Sequence, residues 1–533
     1  MPYFPRERLV ALHPGTLTRV TPLVTHRFIH VKPYAPSHPP SDIPVFNPAT
    51  GEGLFTVQSS SVEHVHSTIW EAQCAFDSGV WSRSSSLSRS KVLSKLARVL
   101  EEKIPSLAEL ETLQTGRAIR EMRTQLGRLP EWLDYYAALL RTHQSFVAPT
   151  QGKLLNYVER VPLGVVAQIT PFNHPLLIAI KKIAPALAAG NSVVVKPSEF
   201  APVTVYEFIQ MAEKAGVPPK VLSFLPGGPD TANSIVKHPS IRKVDITAGT
   251  STGHQIGSIV GANLATYTAE LGGKAPIVLF EDADLVSAVN GAAFASFVAS
   301  GQTCVSGTRL IVHDKIYGNF MSLFMQKVDS IRRRMGDPSN PKCMMGSVIS
   351  PKHLQRMDEM VKRASVKASI LTGGEPMTGI SDLDGFDFSQ GSFYPPTVIS
   401  DVSVEDEIWQ EEVFGPVVVV KPFKTEAEAI HLANASKYGL GAGIWTTDLS
   451  RAHRVSAAIQ SGLCWVNTHH RNDPSSPWGG MKSSGIGREN GIEAFEAYSQ
   501  SKSTIVNTAS VEDSRKNDDW FADDNSREPR RYG

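Results

Sequence analysis

The chain has 533 residues, a length that calls for several folding units rather than a single core. Its 53 Lys and Arg against 52 Asp and Glu leave a formal charge of +1, so no surplus exists for wrapping nucleic acid or coating an anionic membrane. With 41% hydrophobic and 20% charged residues, and no apolar run long enough to span a bilayer, a soluble protein whose partners are small molecules or other subunits is expected. Cys74, Cys304, Cys343 and Cys464 are too few and too scattered for a disulfide framework or a zinc cluster. No metal site is expected, a reduced intracellular compartment is the default, and there is room for one reactive thiol.

The first forty residues are rich in proline and carry Arg6, Arg8, Arg19 and Arg27 against one acid, Glu7. That balance has the flavour of a mitochondrial targeting peptide, but the prolines break the amphipathic helix that import needs. Residues 1–25 are expected to be a flexible extension, with a cytoplasmic location as the first reading and a mitochondrial one as the second. Ser84 to Ser90 reads as a surface connection into a helix with apolar Val92, Leu93, Leu96, Val99 and Leu100. Lys153 to Val161 alternates like a strand yet carries Asn156, Glu159 and Arg160, which suits pairing with another element or another chain.

From residue 162 short β-branched runs alternate with amphipathic stretches. Strands are predicted at Gly164–Ile169, Ser192–Val195, Val221–Leu225 and Lys243–Thr247, and helices at Leu176–Leu187, Val203–Ala215, Thr231–Lys237 and after Gly253. Such alternation means a parallel sheet covered on both faces, the architecture that binds dinucleotides at its carboxyl edge. A second α/β series opens with a strand at Ile277–Phe280 and a helix at Leu285–Ser300, and includes a strand at Val417–Val420. Ser501–Asn507 is a second candidate pairing strand. Residues 509–533, charged and poor in apolar side chains, are expected to form a disordered tail.

Three segments stand out chemically. They are Thr170-Pro171-Phe172-Asn173-His174-Pro175-Leu176, with Lys196-Pro197-Ser198-Glu199 after it; Ala269-Glu270-Leu271-Gly272-Gly273-Lys274; and Gly301-Gln302-Thr303-Cys304. With them the chain resembles the aldehyde dehydrogenase superfamily, from Asn47-Pro48-Ala49-Thr50-Gly51 to Gly485-Ile486-Gly487-Arg488-Glu489 and including Glu411-Glu412-Val413-Phe414-Gly415-Pro416-Val417. Each motif alone is weak, but six in the family's order make coincidence implausible. The resemblance implies an α/β, aldehyde dehydrogenase-like fold. A Rossmann-like NAD-binding domain is expected over 26–147 and 162–272 and an α/β catalytic domain over 273–481. A β-strand oligomerisation arm from 148–161 and 499–508 would build a homodimer or homotetramer.

Oxidising an aldehyde requires a tetrahedral adduct that can expel hydride, and a thiolate is the side chain best suited to form it near neutral pH. A lone cysteine is commonly just a small buried hydrophobe, which suits Cys74, Cys343 and Cys464. Cys304, after a Gly-Gln turn, is expected to be exposed beside an electropositive, helix-rich environment. By resemblance, the Asn173 amide and the Cys304 backbone N–H hold the oxyanion, and Glu270 activates the water that hydrolyses the thioester. A Glu at a strand end is ordinarily a solvated surface residue. Relatives that pass the acyl group to coenzyme A generally lack this Glu, so a CoA-acylating enzyme and a non-catalytic protein of the same fold are the disfavoured alternatives.

The hydride acceptor is expected to be a nicotinamide. Lys196 and Glu199 match family positions on the adenosine ribose, and a carboxylate there favours NAD over NADP, which is the second possibility. Gly228, Gly249, Thr250 and Gly253 suit the pyrophosphate, Ile169 and Leu271 line the cofactor cleft, and Glu412 and Phe414 match positions at the nicotinamide end. Ala299 stands where relatives commonly have Asn. The aldehyde channel would be lined by His174, Ile178, Lys181, Val298, Thr303, Val305, His470, Asn472 and Trp478. With only Trp478 aromatic, a wide, polar tunnel for a bulky, aromatic or functionalised aldehyde is expected; otherwise His470 lies in a solvated loop and Lys181 on an exposed helix face.

Overall fold

The computed structural model describes residues 31–33, 42–517 and 521. The expected extension over 1–25 lies outside them, as does most of the expected tail beyond 517.

The β-branched runs become strands because each can be buried on both sides. Val165–Ile169 and Ser192–Lys196 are buried throughout. They lie side by side in a six-stranded sheet ordered Gly485–Ile486, Thr266–Glu270, Ile241–Thr247, Val165–Ile169, Ser192–Lys196, Leu222–Phe224. Only the short Gly485–Ile486 strand is antiparallel. Successive side chains point to opposite faces. Val166, Val193 and Val195 therefore join a core with the helices Ser86–Thr115, Pro130–Thr142, Pro175–Ala189 and Val203–Ala215. Val165, Ala167 and Val194 join a second core under Val62–Ser78, Pro229–Lys237 and Thr250–Ala262. The Pro175–Ala189 helix is buried along its whole length, starts on a proline and ends at Gly190 in the left-handed region, φ +94°. Truncating fully buried Leu176 to Ala in that core would cost about 2–5 kcal/mol.

A seven-stranded sheet follows, ordered Ser369–Thr372, Thr397–Ser400, Val417–Phe423, Arg309–His313, Pro276–Leu279, Gly441–Trp445, Leu463–Val466, with only Ser369–Thr372 antiparallel. Leu154–Pro162 pairs antiparallel with Ser499–Asn507 over nine residue pairs, and Phe146–Ala148 joins its other edge.

Three expectations need correction. The helix expected beyond the Ser-rich stretch already begins at Ser86, because the Ser85 hydroxyl caps it by accepting from the Ser88 N–H. The helix expected over Leu285–Ser300 stops at Phe297, where the chain turns into left-handed conformations. The expected disordered tail contains a helix, Val511–Asn517, tied back by a Lys153–Asp513 ion pair at 2.5 Å.

Candidate active site

In the first sheet the chain runs outward from Val165–Ile169 through Ser192–Lys196 to Leu222–Phe224, then returns to the other side of Val165–Ile169 as Ile241–Thr247. Loops leaving the carboxyl ends on either side of such a reversal open a crevice. The register sets Ile169 beside Lys196 and Ile246, and Thr247 beside Glu270, so the predicted residues share one edge.

Cys304 reaches that edge through a kink. Ala299, Ser300 and Gly301 all have positive φ, at 56°, 55° and 70°. A Cβ on Gly301 would lie 2.1 Å from the Gly415 carbonyl oxygen, so only glycine fits. The Ala299 N–H donates to the Glu121 carboxylate at 3.2 Å. Gln302 then accepts at its backbone oxygen from Asn173 Nδ2, 2.8 Å, which joins the Asn173 loop to the Cys304 loop. That bond uses one amide hydrogen and leaves the other free to hold an anion. Gly273 packs on the Cys304 carbonyl, where a Cβ would sit 2.0 Å from the oxygen.

The Cys304 thiol is half-buried against Val305, Leu440, Trp465 and Trp478. Burial first, then the carboxyls of Glu412 and Glu270, push it up to about 12, with Lys181 opposing. The expectation of an electropositive setting is thus overturned: the surroundings are carboxylate-rich. Cys74 and Cys464 also depart from the buried reading, being exposed, whereas Cys343 is buried.

Glu270 is 2% exposed, not a solvated strand-end residue, and neither carboxyl oxygen has a hydrogen-bond partner among the described residues. Burial and the charge on Glu489 hold its carboxyl well above the ordinary range. Glu489 is the opposite case. Burial would raise it, but Lys181 at 2.7 Å and Lys182 pull it down to about 2. Lys182 also pairs with Asp245, which accepts from the Tyr498 hydroxyl at 2.6 Å. Burial thus favours the protonated form of Glu270, whereas the two lysines hold Glu489 charged.

Of the residues expected in the channel, Ile178 and Lys181 lie three apart on one face of the Pro175–Ala189 helix, and His174 is its N-cap residue. Lys181 is 4% exposed, which removes the surface reading, and its Nζ lies 4.6 Å from the Trp478 ring centroid. His470 is half-buried rather than solvated, with ring centroids 6.1 Å from His174, 6.1 Å from Trp478 and 6.5 Å from Phe294. Thr303 and Val305 are buried beside the thiol, Val298 is half-buried at the kink, and Asn472 Oδ1 accepts from Asn490 Nδ2 at 2.8 Å. Two further aromatic rings stand beside these residues, Phe294 against His470 and Trp465 against Trp478, the latter at 6.0 Å.

At the nucleotide edge, Lys196 Nζ contacts Glu199 at 3.4 Å, leaving that carboxylate partly exposed. Gly228 and Gly249 begin helices without a side-chain cap, and an added Cβ at either meets nothing within 4 Å. Gly253 packs against Leu271: a Cβ there would lie 2.3 Å from that side chain, which would have to shift. The Thr250 hydroxyl donates to the Ser483 carbonyl at 3.3 Å. Glu412 accepts from the Gly273 N–H at 2.9 Å, and burial pushes its carboxyl up to about 7. The Phe414 ring meets Phe172 at 5.8 Å, and the Phe414 carbonyl lies 2.7 Å from His353 Nε2.

Sequence reasoning assigned no role to Glu489, Lys182, Arg117, His353 or Phe294. His353 had a local signal, since Ser350 and Pro351 form a helix start that places it on the first turn. Arg117 showed only its spacing of four to Glu121, because its contact with His174 spans 57 residues, and Glu489 had no local signal, because Lys182 lies 307 residues away.

The sequence model of the aldehyde dehydrogenase family matches residues 34–504. The chain belongs to the aldehyde dehydrogenase family. Betaine aldehyde dehydrogenase (betB) from Staphylococcus aureus, solved in complex with NAD+, is 35% identical to it; the match covers 88% of this chain and 92% of that one, with a TM-score of 0.84. PnpE from Pseudomonas sp. WBC-3 is 37% identical over 88% and 95% of the two chains, also with a TM-score of 0.84, and is likewise known with nicotinamide adenine dinucleotide. Another betaine aldehyde dehydrogenase structure carries a BME-modified cysteine. This aldehyde dehydrogenase is accordingly an NAD-dependent enzyme that oxidises aldehydes. Its own residues suit that cofactor: the 13-residue helix Thr250–Ala262 offers uncapped N–H groups to a pyrophosphate, and Glu199 offers a carboxylate for ribose hydroxyls.

Proposed function

We propose that this aldehyde dehydrogenase forms the free acid by a hydrolytic route centred on Cys304. The Cys304 sulfur, once deprotonated, adds to the aldehyde carbon. The second N–H of Asn173 and the Cys304 backbone N–H hold the resulting oxyanion, each donor being worth on the order of 3 kcal/mol of barrier. NAD, when bound, supplies the hydride acceptor. Glu270, once it has released its own proton to solvent, takes a proton from water, which attacks the thioester carbon and releases the acid and the Cys304 thiolate.

The observation that carries this reading is the buried, unpartnered carboxyl of Glu270 near the thiol. A buried polar group with no protein partner is costly unless a substrate or water uses it. Stopped-flow NADH formation tests it. Cys304→Ala should give no burst. Glu270→Gln should give one NADH per site and then turnover slowed by at least about a hundredfold. Both variants behaving like the wild type, or turnover that needs coenzyme A and yields no acid, would overturn it.

The channel residues support a functionalised rather than a short alkyl aldehyde, since His174, His470 and Lys181 bring polar atoms into a wall otherwise built of Phe294, Trp465 and Trp478. The three-stranded sheet supports assembly as a homodimer or homotetramer. Among the described residues no further strand pairs with either edge of this sheet, and Phe146 and Val147 on one edge strand and Ile505 on the other are more than half exposed.

A further inference from the structure

His174 stands at the head of the Pro175–Ala189 helix, 4% exposed, with its Nδ1 2.8 Å from Nη1 of Arg117. A guanidinium only donates, so Nδ1 accepts, and the neutral ring then carries its proton on Nε2. Gln125 Oε1 accepts from Arg117 at 3.0 Å, and the Gln125 side chain meets the same ring nitrogen with Nε2 at 3.0 Å and Oε1 at 3.1 Å, so the donor-only guanidinium at 2.8 Å is what fixes the tautomer. Burial, with Arg117, His470 and Lys181 nearby, holds the ring well below its ordinary value and so keeps it neutral. The His174 Nε2–H is buried and has no acceptor among the described residues.

The neighbours decide what can fill that gap. The rings of His470, Phe294 and Trp478 bound the space, and Trp478 also packs on Cys304. Nearby cations are already compensated, Arg117 by Glu121 at 3.1 Å and Lys181 by Glu489 at 2.7 Å. No surplus positive charge remains to offset the desolvation of a carboxylate.

We propose that the Nε2–H of His174 donates a hydrogen bond to an uncharged oxygen in the tail of the aldehyde, making hydroxy-, alkoxy- or oxo-aldehydes the preferred substrates. This rests on the reading of Cys304 as the attacking thiol and makes His174 a specificity-determining residue. An alkyl tail of equal length leaves the donor unpaired and is disfavoured for that reason.

The test compares length-matched aldehydes that end in methyl, hydroxyl, methoxy or carboxylate. Wild-type kcat/KM should favour hydroxyl and methoxy over methyl by at least about tenfold, carried mainly by KM. His174→Phe should shrink that ratio to about twofold or less, and His174→Gln, which keeps an N–H donor, should restore part of it. The primary alcohols with the same tails, bound to Cys304→Ala protein and followed by calorimetry, should rank in the same order. Equal binding of all tails, preference for the carboxylate, or a preference that survives His174→Phe would overturn the proposal. Should the Phe variant fail to fold, the wild-type ratios and the alcohol ranking still decide. If no aldehyde is oxidised through Cys304 but the alcohols rank as expected, the reading of the thiol has failed and that of His174 stands.

Discussion

At the residue scale, the site holds its ionisable groups in states set by burial. The Cys304 thiol, pushed up to about 12 by burial first and by neighbouring carboxyls second, is protonated at neutral pH. The rate at which iodoacetamide modifies Cys304 should rise about tenfold per pH unit up to pH 9 without a plateau. Site-resolved mass spectrometry separates it from exposed Cys74 and Cys464, and a plateau near neutrality would contradict the carboxylate-rich setting. Glu111 makes a separate prediction. Its Oε1 accepts from the Leu176 N–H at 2.8 Å, at the start of the helix that carries His174, while its Oε2 is buried without a partner. Burial raises its carboxyl to about 7 from 4.5. Folding therefore favours the protonated form: stability is full below pH 4.5 and falls as pH rises towards 7. The loss is about 3 kcal/mol on the basis of that shift. Glu111→Gln should flatten this part of the stability curve in urea titrations between pH 4.5 and 7.

At the scale of elements, the kink after Leu285–Phe297 is what aims Cys304. Ala299 adopts φ 56° although Ala has no means of easing the left-handed conformation, and Ser300 follows at 55°. Ala299→Gly should raise stability by about 1 kcal/mol in thermal unfolding. Gly301→Ala should do the reverse and lose more than about 2 kcal/mol, since its Cβ meets the Gly415 carbonyl and the φ is positive. The amphipathic pattern predicts the helix before this kink but extends to Ser300, three residues beyond its end at Phe297. Nothing local marks the end, because a tertiary contact from Glu121 and the approach of Gly415 impose it.

At the scale of the whole molecule, the C-terminal segment returns across the first sheet. Trp132 Nε1 donates to Asn490 at 2.9 Å, and Tyr498 bridges Gln168 and Asp245. Ser499–Asn507 then extends the arm sheet, and no further strand among the described residues pairs beyond it. If the arm joins subunits, the wild type should sediment as a dimer or tetramer at micromolar concentration. The Ile505→Lys/Val147→Lys double variant should sediment as a smaller species while keeping its far-ultraviolet circular dichroism. An unchanged oligomer in the variant would place the interface elsewhere.

The order of strands and helices, the parallel sheet and the positions of Asn173, Glu270 and Cys304 were legible in the sequence, because hydrophobic period and short contiguous motifs are local properties. The protonation of Glu270, the carboxylate-rich setting of Cys304 and the unpaired N–H of His174 were not. Each depends on burial and on partners such as Glu489, Glu412 and Arg117, which come from other parts of the chain. Electrostatic energy follows distance and dielectric rather than chain order. The chain's chemistry is thus written in its motifs, while the states in which that chemistry is held were decided by the tertiary fold alone.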